Sequence, residues 1–128
     1  MLRLNLIGED RQCASPIDDR KSKDVLWNSI NWEEAKRIVN GLQTRIVKAV
    51  KAGNREKVRS LQRLLARSLA GKLIAVKRVS ENRGKRTAGV DGKLLDTPAK
   101  RWRQTCQLNR NCYKPKPLKR LYIPKKNG

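Results

Sequence analysis

The chain has 128 residues, with 32 Lys and Arg against 11 Asp and Glu for a formal charge of +21, and it contains no His and no Phe. That length bounds it to one small domain, and a hydrophobic share of 38% gives a core that is thin. An excess charge of this size repels itself in a compact state unless a polyanion neutralises it, so nucleic acid is the default partner, and no apolar run is long enough to span a bilayer.

The charge is divided unevenly along the chain. Residues 1–26 balance Arg3, Arg11, Arg20, Lys21 and Lys23 against Glu9, Asp10, Asp18, Asp19 and Asp24. This polar leader shows no hydrophobic period and carries Pro16, so disorder is expected over 1–26. Its opening, "MLRLNLIGEDRQ", has too short an apolar stretch for a signal peptide, and its acids argue against an organelle-targeting segment. The cytoplasm, or the matrix or stroma of an organelle that encodes the chain itself, is the expected location.

"SINWEEAKRIV" marks a helix start, with Asn31 as cap and Glu34 three residues on. Trp32, Ala35, Val39, Leu42, Ile46 and Ala49 then recur at alternating spacings of three and four, which is one helical face. Gly41 interrupts this helix and suggests a close packing contact. Gly53 suits a left-handed helix end and Asn54 a new cap, so a second helix is predicted over 54–80, with Gly71 a candidate bend or break. Its apolar set is Val58, Leu61, Leu64, Leu65, Leu69, Leu73, Val76 and Val79. So short a turn predicts an antiparallel αα-hairpin.

The stretch "GKRTAGVDGK", residues 84–93, looks like a phosphate-binding loop. Gly84 and Gly89 have Walker spacing, but Val90 and Asp91 stand where Lys and Ser or Thr are required, so it is not one. Thr97 and Pro98 predict a further short helix, with Trp102 a core or stacking candidate. Pro115 and Pro117 block a helix, and Leu118–Ile123 read as a strand before Pro124. Asn127-Gly128 is a hairpin-turn signal with no second strand after it, which predicts an incomplete hairpin.

Catalytic chemistry finds no candidates. The six acids outside the leader, Glu33, Glu34, Glu56, Glu81, Asp91 and Asp96, do not cluster as metal-dependent phosphoryl transfer requires. Cys13, Cys106 and Cys112 are odd in number and widely spaced, so three unpaired thiols are expected rather than a zinc module or a disulfide framework. No metal and no cofactor is expected.

The order of these segments resembles one family. "INWEEAKRIVNGLQTRIVKAVKAGNREKVRSLQRLLARSLAGKLIAVKRV" resembles the N-terminal segment of group II intron-encoded reverse transcriptases, or maturases. "ENRGKRTAGVDG" is similar to a family loop ending T-P-G-V-D-G, with Ala88 in place of proline, and "YKPKPLKRLYIPKKNG" is similar to the start of the fingers. The resemblance covers about residues 27–128. It implies a helical RNA-binding domain at 27–112 and the start of a fingers hairpin at 113–128. It also implies a lid near the template–primer junction that includes Arg83, Lys85, Arg86 and Gly89. By the same resemblance Lys125 grips the triphosphate of an incoming nucleotide and Lys119 helps cover it. The family's palm motifs, Tyr-Ala-Asp-Asp and the first catalytic aspartate, are absent from these residues.

The expectation is therefore a mostly α protein that binds intron RNA or other structured RNA and does not polymerise DNA by itself. Its binding residues would be Arg37, Arg45 and Lys48 on the first helix, and Arg55, Arg59, Arg63, Arg67, Lys77 and Arg78 on the second. Arg83, Lys85 and Arg86 in the loop, and Lys114, Lys116 and Arg120 in the tail, would extend them. Two alternatives share the charge: a stand-alone, ribosome-associated structural RNA-binding protein, and a subunit of a split reverse transcriptase joined by a palm-containing polypeptide.

Overall fold

The computed structural model describes residues 20–126, in which five α-helices follow one another and no strand forms among the described residues. They are α1 (Arg20–Asn28), α2 (Trp32–Lys51), α3 (Arg55–Arg67), α4 (Leu69–Glu81) and α5 (Pro98–Gln107), followed by a 3₁₀ turn at Arg110–Cys112. The mostly helical expectation holds. The expected disorder of 1–19 and the Asn127-Gly128 turn lie outside the described residues.

Three of the predicted helix starts are built by the residues that signalled them. Asn31 Oδ1 accepts the Glu34 N–H at 3.1 Å, and Asn54 Oδ1 accepts the Lys57 N–H at 3.0 Å. Thr97 Oγ1 accepts the Lys100 N–H at 3.4 Å, with Pro98 opening α5. Gly53, between α2 and α3, has φ +69°, where a side chain would be strained. Across this turn α2 and α3 bury Leu42, Ala49 and Leu61 together, with Ile38, Ile46, Val58 and Leu65 packed against them.

The helix expected over 54–80 is two helices. Ser68 is extended (φ −64°, ψ 136°) and serves both, ending α3 and capping α4. Its hydroxyl donates to the Leu65 carbonyl at 2.8 Å and accepts from the Gly71 N–H at 3.1 Å, replacing the helical ladder at that point. The break resets the inward face. α4 buries Ala70, Leu73, Val76 and Ser80, whereas Leu64 and Val79, expected in the core, are 40% and 57% exposed. Gly71 sits hard against the break, as the candidate bend or break there suggested. Gly41 does not mark a close contact: a Cβ there would meet nothing within 4 Å.

The leader ends earlier than expected, because residues 20–28 form α1. Trp27 and Ile30 are buried with Leu73 and Val76, and Trp32, Leu69, Leu95 and Trp102 close the cluster. The Trp27 and Trp32 rings meet edge-on at 5.0 Å. Asp24 Oδ1 accepts the Ala99 N–H at 2.7 Å, placing a carboxylate of α1 at the positive end of α5. A nine-residue helix is too short to stand without packing or to display a clear period, so the sequence pattern missed it. Trp102 resolves as a core residue.

Two further expectations are corrected. Leu118–Ile123 do not form a strand; residues 113–125 lack regular structure, as a lone strand without a ladder partner should. Cys106 is disulfide-bonded, so the chain does not carry three unpaired thiols. Spacing along a sequence does not report proximity in space.

Candidate nucleic-acid interface

Burial of the apolar stripes fixes where the cations go. With Ala35, Val39, Leu42 and Ala49 turned inward, α2 exposes Arg37, Arg45 and Lys48. With Leu61 turned inward, α3 exposes Arg55, Lys57, Arg59, Arg63 and Arg67. Apart from Lys57 these are expected binding residues, and all are on the surface, as are Arg78, Arg83, Lys85, Arg86, Lys114, Lys116, Lys119, Arg120 and Lys125.

Lys77 is placed differently. It is half-buried, pairs with Glu81 and lies 5.0 Å from the Trp32 ring centroid, a cation–π contact. The Lys77 hydrogen bond holds the Glu81 carboxyl below the usual carboxylate range against an opposing desolvation, and the Lys77, Arg101 and Lys36 charges add to the lowering. Lys100 does the same for Asp96, at 2.7 Å. Lys36 pairs with Glu33 at 3.0 Å, and the Arg101 Nε–H donates to the Leu95 carbonyl at 3.0 Å. These cations are engaged within the fold, so the charge offered to a partner is concentrated elsewhere.

Two open concavities collect it. One, of about 330 Å³, spans the α2–α3 turn and is lined by Arg45, Lys48, Ala49, Ala52, Asn54 and Lys57. The second, of about 290 Å³, is lined by Arg59, Gln62, Arg63 and Ala66 of α3 and by Arg110 of the 3₁₀ turn. Among the described residues, neither lining contains an acid. Among the described residues, no carboxylate lies within ion-pair distance of Arg59, Arg63 or Arg110. Lys57 and Arg110 were not among the expected binding residues. Lys57 was legible on the polar side of its helix, whereas Arg110 reaches α3 only through the tertiary fold.

The glycine loop is exposed throughout residues 81–94 and folds as successive turns. The Lys85, Thr87 and Gly92 N–H groups donate to the Asn82, Gly84 and Gly89 carbonyls at 3.0 Å each, and Lys93 N–H donates to Asp91 Oδ1 at 3.3 Å. Four of its backbone donors are therefore directed into the loop itself. Arg83, Lys85 and Arg86 remain as surface charges on it. The tail alternates cations with exposed apolar residues: Tyr113 is 74% exposed, Leu118 91% and Tyr122 83%. Lys119 and Lys125 lie on this tail and are not brought together with the concavities on α2 and α3.

Among the described residues no group of three or more Cys, Asp or Glu could hold a metal ion, and no helix is long and apolar enough to cross a membrane. Residues 27–108 match a family model described as the N-terminal domain of reverse transcriptase. No curated protein and no solved structure matches the chain.

Proposed function

This chain belongs to the family of reverse transcriptase N-terminal domains, and on that premise we propose that it is an RNA-binding module of the group II intron, or maturase, type. In this reading an antiparallel α2–α3 hairpin presents its arginines and lysines to the phosphates of structured RNA. The loop at 81–93 and the tail at 113–126 extend the surface along the strand. The observation that carries the reading is that, among the described residues, no acid lines either the concavity at the α2–α3 turn or the one between α3 and the 3₁₀ turn. Guanidinium and ammonium groups without carboxylate partners neutralise phosphates at little cost, and the released counterions drive association.

The proposed module contributes binding and not bond formation. Polymerisation would need carboxylates held by a palm, which these residues do not include. The exposed apolar tail favours a second, compatible reading. Leu118, Leu121, Tyr122 and Ile123 are between 76% and 91% exposed, as a segment awaiting a partner strand would be. A palm-containing polypeptide would supply that strand, and 118–123 would then become the β segment of a fingers hairpin.

Binding of the full chain to a labelled group II intron RNA domain, measured across a salt series, tests the first reading. Arg59, Arg63 and Arg67 changed together to Ala should flatten the log–log slope by roughly two to three counterions. An unchanged slope would remove this face from the interface. Unlabelled ribosomal RNA competing as well as intron RNA would favour a general structural RNA-binding protein. DNA synthesis appearing only when a palm-containing chain is added would establish the split-enzyme reading.

A further inference from the structure

Arg59 and Arg63 lie one helical turn apart on α3, and Arg110 follows α5, yet all three line one concavity of about 290 Å³. The rest of its lining, Gln62 and Ala66, is a neutral side chain and a methyl group. Ala66 leaves the room that a longer side chain would fill, and Gln62 can donate or accept a hydrogen bond. Each guanidinium is a planar fork suited to two oxygens of one tetrahedral anion. Three such forks repel one another, and among the described residues no carboxylate lies within ion-pair distance to relieve them. An arrangement of this kind is completed by an oxyanion.

We propose that Arg59, Arg63 and Arg110 form a single phosphate-binding site that seats one backbone phosphate of a bound polynucleotide. The proposal rests on the RNA-binding reading above and adds a defined point of register to it. A uniformly basic surface lets RNA slide, whereas a phosphate held from two separate elements fixes where the strand sits. It also assigns a role to the 3₁₀ turn, whose Asn109 cap (Oδ1 to the Asn111 N–H, 3.1 Å) orders the backbone that carries Arg110.

The test is a double-mutant cycle in the full chain, read as affinity for an RNA hairpin across a salt series. Arg110→Ala should weaken binding about tenfold at low salt and lower the log–log slope by less than the roughly 0.7 to 0.9 of a whole phosphate contact, because Arg59 and Arg63 still hold the same phosphate. Arg110→Lys keeps the charge but loses the fork, so it should keep the slope while losing part of the affinity. Arg63→Ala combined with Arg110→Ala should cost less than the sum of the two, because both arginines grip the same group. Arg37→Ala, at a residue that does not line this concavity, should be additive with Arg110→Ala. Addition of tripolyphosphate separates the sources of the anion. Competition that is lost in Arg110→Ala supports a phosphate site in its own right, and competition that persists there places the anion elsewhere and overturns the site. Wild-type affinity in Arg110→Ala, or full additivity with Arg63→Ala, overturns the site while leaving RNA binding intact. Failure of the wild-type chain to bind RNA at all overturns both. All three arginines are exposed, and matching melting curves for the variants exclude unfolding as the cause.

Discussion

Gly71 and Gly41 are both helical glycines, and their surroundings assign them opposite roles. A Cβ at Gly71 would lie 2.6 Å from the Leu65 carbonyl oxygen and 2.9 Å from Ser68 Oγ, the two atoms that build the α3–α4 break. The carbonyl belongs to the backbone and cannot swing aside. Gly71→Ala should therefore destabilise the fold by about 1–3 kcal/mol in urea denaturation. Gly41→Ala fills open space in the middle of α2 and should stabilise by about 0.4–1 kcal/mol. Equal effects of the two changes would contradict the break at Ser68. From the sequence Gly41 looked the site of close packing and Gly71 a bend or break, because a glycine's neighbours cannot be read from its own position.

At the scale of elements, Asp24 joins the first helix to the last. Asp24→Ala removes the carboxylate from the Ala99 N–H and should cost about 1–2 kcal/mol, with amide exchange at Ala99 and Lys100 accelerated ahead of that in α2. Asp24→Asn keeps an acceptor and should recover most of the loss; exchange in α5 that ignores both changes would sever this link. The helices that begin with Asn31, Asn54 and Thr97 were legible because a cap acts over three residues and its signal is local. α1 was not, because what stabilises it is burial of Trp27 and Ile30 against Leu73 and Val76, far along the chain. The candidate interface divides the same way. Arg45, Lys48, Arg59 and Arg63 follow from the polar side of a helix, whereas Arg110 joins them only once α5 has packed. Lys77 reads as one more surface cation until Trp32 and Glu81 are seen around it.

Across the whole molecule, +21 charges on 128 residues set how stability responds to solvent. Few pairs relieve them in the described residues, and those are local, as at Lys36–Glu33 and Lys100–Asp96. Raising monovalent salt screens the repulsion within about 10 Å at 0.1 M, so Tm should rise with salt, by about 4–8 °C for each 1 kcal/mol relieved. RNA binding should weaken over the same range. A Tm that fell with salt would mean that the surface pairs outweigh the repulsion. The family match starts at residue 27, yet Trp27 lies near the end of a helix that started at residue 20. What is shared with relatives and what must be present for the core to close are thus offset by two turns of helix. A piece excised along the line of kinship would leave a tryptophan at its very edge and the amino end of α5 without its carboxylate.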